Sequence, residues 1–130
     1  DLWDRYKKFT NPYEYIHTPV PHTKTSVCRL KPLSRSFYKM IEIANAVDLL
    51  SLLPRPFQSF HLAEGPGGFV EAVCTLTRDD TRNVHRAMTL VDDDDGTVPG
   101  WRKSAAFLAG RDHVIIESGA DGTGDLVRSL

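Results

Sequence analysis

Between residues 57 and 118, short apolar runs alternate with segments of helical character, and this order constrains the fold more than any other feature. The apolar runs are typical of buried strands, and the segments between them predict helices. Strand, helix, strand, helix and strand in this order indicate parallel βαβ units in an α/β domain. The five segments are, in order, FQSFHLA, GGFVEAVCTLT, VHRAMTLV, WRKSAAFLA and HVIIES.

Each of the three predicted strands is followed by a polar loop. The loops begin with EGPGGF, TLVDDDD and ESGADGTGD. Ligands of open parallel sheets bind outside the carboxyl ends of the strands. We therefore expect these three loops to converge on one edge of the sheet and to form a binding site there.

The sequence before the first strand divides into two parts. Residues 34–53 have apolar residues at spacings of three and four, which predicts one amphipathic helix capped by Ser34 and ended by Pro54. Residues 1–33 contain four prolines, at positions 12, 19, 21 and 32. They predict an irregular arm over the domain, with at most a short helix near residues 3–8. The expected organisation is an arm at 1–33 and an α/β domain at 34–130.

Composition narrows the class of protein. The chain has 130 residues and a formal net charge of −1, so no global basic field indicates a nucleic-acid-binding protein, although a local basic face remains compatible with RNA. Cys28 and Cys74 are far apart and fit neither a disulfide framework nor a zinc motif, which favours reduced thiols in an intracellular compartment. No apolar run is long enough to span a membrane. The chain begins without Met, and an upstream segment is expected.

The first loop is suited to a ligand that carries both charges. Gly65, Gly67 and Gly68 lack side chains, so a ligand could approach the backbone, and the following helix start offers N–H groups to an anion. Glu64 would face a cation instead. The amino acid end of S-adenosylmethionine has both groups. The loop is neither a P-loop nor a GxGxxG motif, and a tight structural turn is an equally good interpretation of the glycines alone.

Four ordered stretches resemble FtsJ-like S-adenosylmethionine-dependent RNA 2′-O-methyltransferases, in the branch of the mRNA cap ribose methyltransferases and their relatives in large DNA viruses. FHLAEGPGGFVEAV is similar to the family's first cofactor motif, and SRSFYKMIEI to the helix that carries its first catalytic lysine. AMTL resembles its second strand, and ESGADGTGDL the loop before the adenine contact. The resemblance covers about residues 34–126.

The resemblance implies a Rossmann-like methyltransferase fold, a doubly wound parallel sheet of which only the N-terminal half is present. It implies methyl transfer to an RNA ribose, with capped mRNA as the expected partner, in the cytoplasm or nucleus, or in a virion or viral factory. Lys39 matches the first catalytic lysine. The cofactor-binding matches are Glu64, Gly65, Pro66, Gly67, Gly68, Phe69, Thr89, Leu90 and Asp125, with Asp121 as a neighbour of Asp125.

The chain departs from the family at its end. The family's catalytic Asp, second Lys and Glu lie on later strands, and no position before Leu130 matches them. The chain is therefore expected to be a fragment of a longer protein or to lack that half. Two other functions remain open: a non-catalytic methyltransferase-like module in an RNA-processing or viral assembly, and a nucleotide-binding βαβ domain of another class.

Several other residues support further hypotheses. Arg29, Lys31 and Arg35 form a basic cluster that could contact RNA phosphates or could simply be solvated. The acidic run at 92–95 is expected to be a solvated loop rather than a metal site, and the five histidines show no metal-binding spacing. Base stacking is conceivable for Phe37, Tyr38 and Trp101, although packing within the domain is the better interpretation for Phe37 and Trp101.

Overall fold

The computed structural model describes residues 2–92 and 94–127. Contacts between Cα atoms divide the chain into two compact units, Asp1–Lys31 and Pro32–Leu130. The division falls two residues before the boundary expected from the sequence. Among the described residues, none of the helices has the length and apolar character that crossing a membrane requires.

The first unit contains one helix followed by a folded-back segment. Helix α1 spans Leu2–Thr10, somewhat longer than the helix expected near residues 3–8, and a 3-10 turn follows at Pro12–Tyr15. The chain then folds back on itself, and the backbone N–H of Cys28 donates to the carbonyl of Ile16 at 2.7 Å. The arm is therefore ordered by its own backbone hydrogen bonds.

The second unit is an α/β domain with an open sheet of three parallel strands, in the order β1-β2-β3. This architecture confirms the predicted alternation and is compatible with a Rossmann-like fold. The register pairs Ser59 with His85, and His85 with Val114. The helices and strands are α2 (Ser36–Ala46), α3 (Leu49–Leu52), β1 (Gln58–Leu62), α4 (Gly68–Leu76), β2 (Val84–Met88), a 3-10 turn (Arg102–Ser104), α5 (Ala105–Leu108) and β3 (Val114–Glu117).

The core lies between α4 and the sheet. Val70 and Cys74 on α4 pack with Val114 of β3, and Phe107 and Leu108 close the cluster from α5. The opposite face of the sheet is uncovered at β1, where Phe60 and Leu62 are 53% and 56% exposed. An open parallel sheet with both faces covered would bury these side chains, so the exposed face is a departure from the usual packing of such sheets.

The single helix predicted over residues 34–53 is wrong in its length and in its cap. Helix α2 ends at Ala46, and Asp48 has a left-handed backbone with φ 48°. Asp tolerates this conformation better than most residues do, and its backbone carbonyl and side chain both accept hydrogen bonds from Ser51, within the short helix α3 that begins at Leu49. The residue at the N-cap position is Arg35, and its side chain makes no capping hydrogen bond. Ser34 does not cap the helix either, because its hydroxyl is hydrogen-bonded to that of Ser36.

The helix predicted over residues 101–109 is also shorter than expected. Its first turn is the 3-10 turn, and regular α-helix covers only Ala105–Leu108. Ser104 is fully buried, and its hydroxyl donates to the carbonyl of Pro66 in the glycine loop. This link between two loops accounts for the irregular start of the segment.

Candidate functional site

The three loops converge at the carboxyl edge of the sheet, as predicted. The backbone N–H of Glu64, after β1, donates to the carbonyl of Met88 at the end of β2 at 3.2 Å. The N–H of Val91 donates to the carbonyl of Thr123, in the loop after β3, at 2.8 Å. Backbone hydrogen bonds therefore connect the first loop to the second and the second loop to the third.

Thr89 lies at the centre of this convergence. A Cβ added to Gly65 would lie 2.8 Å from both the Thr89 side chain and the carbonyl oxygen of Gly100, and a Cβ on Gly124 would overlap the Thr89 carbonyl. The space left open by these glycines is thus filled by other loops of the protein. We expected the Gly65 backbone to be open to a ligand, and the structure instead packs protein against it.

The other glycines of the loop shape the start of α4. Gly67 has φ +109°, a left-handed conformation that glycine adopts readily, and its N–H donates to the carbonyl of Glu64 at 2.7 Å. Gly68 faces the start of α2, where a side chain would overlap the hydroxyls of Ser34 and Ser36. These two glycines therefore allow α4 to begin abruptly and to approach α2 closely.

Glu64 is buried at this site, with a relative exposure of 5%. Its Oε1 accepts hydrogen bonds from the backbone N–H groups of Phe69 and Val70 at 2.5 and 2.8 Å. Burial raises the pKa of this carboxyl to about 6, and the two N–H donors only partly oppose the shift. The expectation that the start of α4 would receive a ligand's carboxylate is wrong for these two donors, because Glu64 already binds them.

The remaining cofactor-binding candidates lie in the second and third loops. Thr89 is buried, whereas Leu90 is 43% exposed at the sheet edge. Asp125 accepts a hydrogen bond from the backbone N–H of Val127 at 2.8 Å, and Asp121 accepts from the N–H of Thr123 at 2.9 Å. Both acids therefore shape the third loop.

Lys39 lies in the first turn of α2, whose start abuts Gly68. The buried residues of α2 are Phe37 and Ala44, and position 39 is about 200° around the helix from position 37. The Lys39 side chain is exposed and has no hydrogen-bond or ion-pair partner within residues 2–92 and 94–127. The structure brings its helix to the glycine loop but does not bring this amine into contact with it.

The basic cluster expected to contact RNA is divided between the two units. Arg29 and Lys31 belong to the first unit and Arg35 to the second, and all three side chains are exposed. The described residues of the acidic run shape a turn: Asp92 Oδ1 accepts from the backbone N–H groups of Asp94 and Asp95 at 3.0 and 3.1 Å. Asp93 lies outside the described residues.

The aromatic residues near the site agree with packing roles. Phe37 is buried and meets the half-buried ring of Tyr38 edge to face, with ring centroids 5.4 Å apart. Trp101 lies beside Gly67, where an added Cβ would be 3.7 Å from the indole ring. Packing is therefore confirmed for Phe37 and is consistent with the position of Trp101.

Three histidines form a row across the sheet. The Ser59 hydroxyl is hydrogen-bonded to His85 Nδ1 at 2.7 Å and to His61 Nε2 at 2.8 Å. Burial lowers the pKa of His85 to about 4 and also lowers that of His61. The ring of His113 lies beside that of His85 on the other side, with the ring centroids 6.0 Å apart. His85 is thus a neutral core residue at neutral pH.

A second cluster, which no sequence motif indicated, lies at the opposite edge of the sheet. It brings together Cys74, Asp79 and His113, whose ligand atoms all lie within 4.8 Å of one another. Burial, together with the neighbouring Asp79 carboxylate, raises the pKa of the Cys74 thiol to about 12, so the free thiol is not a nucleophile at neutral pH. Intervals of 5 and 34 residues match no common metal motif, and only the fold brings the three together.

Comparison with known proteins identifies no family for this chain. No family model, no curated protein and no solved structure matches the chain.

Proposed function

We propose that the carboxyl edge of the sheet binds S-adenosylmethionine and that the protein transfers its methyl group to a ribose 2′-hydroxyl of RNA, with a cap-proximal nucleotide of mRNA as the substrate. The observation that carries the proposal is Glu64: a buried acid directly after the first strand, within a sequence that resembles the family's cofactor motif. The fold in which it lies, with three polar loops at one sheet edge, is suited to a nucleoside-containing ligand.

The energetics of Glu64 favour a cationic ligand. With a pKa of about 6, the carboxyl is mostly ionised at neutral pH, yet it is removed from water and has no cation beside it among the described hydrogen bonds and ion pairs. A buried carboxylate is stabilised by an opposite charge at close range. The ammonium group of a bound amino acid would supply that charge.

Bound S-adenosylmethionine supplies a methyl group already activated on a sulfonium centre. The tasks left to the chain are to hold the cofactor and the ribose hydroxyl in line and to assist loss of the hydroxyl proton. Glu64 would hold the amino acid end, and Thr89, Leu90 and Asp125 would face the adenosine. Lys39, at the start of α2, would steer the hydroxyl, with Arg29, Lys31 and Arg35 near the RNA phosphates.

Binding is tested by calorimetry with S-adenosylmethionine at pH 7.0 and pH 5.0. We expect affinity to fall by about tenfold at the lower pH, because protonated Glu64 no longer attracts the ammonium group. Glu64→Gln, which keeps the acceptor for Phe69 and Val70, should bind weakly at both pH values. The matched control is Glu42→Gln, an exposed acid of α2 that should bind like the wild type. Competition by ATP or NAD with equal strength would instead indicate a general nucleotide site.

Methyl transfer is tested separately with the complete gene product. Tritium from labelled S-adenosylmethionine should enter capped RNA and should not enter the same RNA already methylated at the cap-proximal 2′ position. Cofactor binding without transfer to capped RNA, ribosomal RNA or transfer RNA would refute the enzymatic part of the proposal.

One observation favours a second candidate, a non-catalytic module that binds the cofactor or a partner. Lys39 is exposed and unpaired within the described part of the chain, whereas a lysine that assists a proton transfer is held by other groups. The module predicts cofactor binding together with unchanged, negligible transfer in Lys39→Ala. The enzyme predicts that transfer is present and falls steeply in that variant.

A further inference from the structure

We propose that Cys74, Asp79 and His113 form a binding site for a divalent metal ion of the zinc class. The site lies at the amino edge of the sheet, opposite the glycine loop, and does not depend on the function proposed above. Its donors are a thiol, a carboxylate and an imidazole, and all their ligand atoms lie within 4.8 Å of one another.

Three separate segments bring these side chains together. Cys74 lies near the end of α4, and the next residues turn back sharply because Arg78 and Asp79 both have left-handed backbones, with φ 54° and 56°. The Asp79 N–H donates to the Cys74 carbonyl at 2.7 Å, which brings residue 79 back to the end of the helix. His113 precedes β3 and is fixed in register by the N–H of His85, which donates to its carbonyl at 2.8 Å.

The spacing of two donors already suits a tetrahedral ion. His113 Nε2 lies 3.3 Å from Asp79 Oδ1. Zinc-to-nitrogen and zinc-to-oxygen bonds of about 2.0–2.2 Å place two tetrahedral ligands about 3.3–3.5 Å apart. The three ligand atoms are spread over as much as 4.8 Å, so bringing Cys74 into the same tetrahedral site requires a closing movement of about 1 Å. Asp79 can move toward Cys74, because its side chain is 42% exposed.

His113 supplies an independent observation. The residue is only 8% exposed, and its buried Nε2 makes no hydrogen bond within the described residues, although Asp79 Oδ1 lies 3.3 Å away. A buried polar atom without a hydrogen bond is destabilising, because it has lost its contact with water, and such atoms are rare in folded proteins. Coordination to a metal ion would satisfy this nitrogen without moving the ring into solvent.

The donor set selects the class of metal. A thiolate excludes calcium and magnesium, which prefer oxygen ligands, whereas thiolate and imidazole together favour zinc and cobalt. Cys74 and Asp79 also line a cleft of about 220 Å³. Three protein ligands and one open position toward this cleft leave room for a water molecule as the fourth ligand.

Arg111 is the feature that opposes a cation here, because its guanidinium group binds Asp79. Its Nη2 lies 3.0 Å from Asp79 Oδ2, and its Nε donates to Oδ1 at 3.2 Å. The carboxylate has two oxygens, so Oδ2 can keep the arginine while Oδ1 binds the metal ion. An outer hydrogen bond of this kind orients a carboxylate ligand. The thiolate and the carboxylate balance the ion's two positive charges, and Arg111 leaves the site with a net charge of +1.

The test is titration of the full reduced chain with Co²⁺, followed by competition with Zn²⁺. We expect a thiolate-to-cobalt charge-transfer band and the visible bands of a tetrahedral ion, both removed by Zn²⁺. Cys74→Ser should lose the charge-transfer band, and the matched control Cys28→Ser should keep it. Asp79→Asn and His113→Gln should each weaken binding by more than about tenfold, the lower bound for loss of an outer-shell partner.

Each outcome decides the proposal. Absence of the charge-transfer band in the wild type overturns it, as does a band that persists in Cys74→Ser or disappears in Cys28→Ser. If Cys74→Ser does not fold by circular dichroism, Asp79→Asn decides instead, because its partly exposed side chain can change without a cavity. Unchanged cobalt affinity in folded Asp79→Asn would also overturn the site.

Discussion

Gly124 packs directly on the backbone of Thr89, so closely that a side chain at position 124 would overlap the Thr89 carbonyl oxygen. The contact joins the loop after β3 to the end of β2, and it makes the convergence of the loops dependent on the absence of one methyl group. Gly122, two residues earlier, has a similar left-handed backbone, with φ +80°, but open space around it. Alanine substitutions at these two glycines therefore separate the energetic cost of the clash with Thr89 from the cost of placing alanine in a left-handed backbone conformation.

We expect Gly124→Ala to destabilise the domain more than Gly122→Ala does. The left-handed backbone alone should cost about 1–2 kcal/mol in either variant, and the overlap with Thr89 should add about 1–3 kcal/mol at position 124. Urea unfolding measures both free energies. Equal losses in the two variants would show that the third loop does not pack on Thr89.

Glu64 should make stability depend on pH in an unusual direction for a carboxyl group. Its pKa is about 6 in the folded chain against an ordinary value of 4.5, so the folded state binds the proton more tightly than the unfolded state does. The free energy of unfolding contributed by this group is therefore greatest below pH 4.5 and falls by about 2 kcal/mol as pH rises through 6. Glu64→Gln should remove this dependence.

Urea unfolding at pH 4.5 and pH 7.5 checks the prediction. Relative to wild type, Glu64→Gln should gain up to about 2 kcal/mol between the two pH values, because the amide carries no charge that burial penalises. The exposed Glu42→Gln should leave the difference unchanged. If wild type and Glu64→Gln respond identically to pH, the carboxyl is not desolvated.

Asn83 should be important for the start of the sheet. Its buried Oδ1 accepts a hydrogen bond from the backbone N–H of Phe57 at 3.1 Å, and the side chain is only 3% exposed. We expect Asn83→Ala to lower the free energy of unfolding by about 1–3 kcal/mol, because the buried N–H loses its partner. Asn45→Ala, at an exposed position of α2, is the control and should change stability by about 0.5 kcal/mol or less. A neutral Asn83→Ala would contradict this hydrogen bond.

Lys39→Ala separates folding from activity. The exposed side chain makes no described contact, so the variant should unfold within about 0.5 kcal/mol of wild type. If the lysine steers the ribose hydroxyl, methyl transfer should fall by about a hundredfold or more while cofactor affinity is unchanged. Lys24→Ala, an exposed lysine of the first unit, is the control for loss of charge. Equal transfer rates in the two variants would remove Lys39 from the mechanism.

Much of the α/β domain followed from local sequence patterns. All three strands, and helix α4 after the glycines, lie within the segments predicted for them, because periodic apolar residues report which side of an element is buried. The break between α2 and α3 at Asp48 could not be predicted in this way. The spacing of apolar residues continues through position 48, and it does not report a left-handed backbone conformation. The second crossover was predicted too long for a related reason: the contact of Ser104 with Pro66 links residues 38 positions apart.

The candidate sites divide in the same way. The sequence by itself determined that three polar loops follow three parallel strands, and therefore that they meet at one edge, because chain direction fixes which end of each strand carries a loop. Only the tertiary structure decided that the Glu64 carboxylate binds the start of α4, that Lys39 lies on an exposed part of α2, and that Cys74, Asp79 and His113 meet. Such contacts depend on distances between packed segments, and local sequence patterns do not encode those distances.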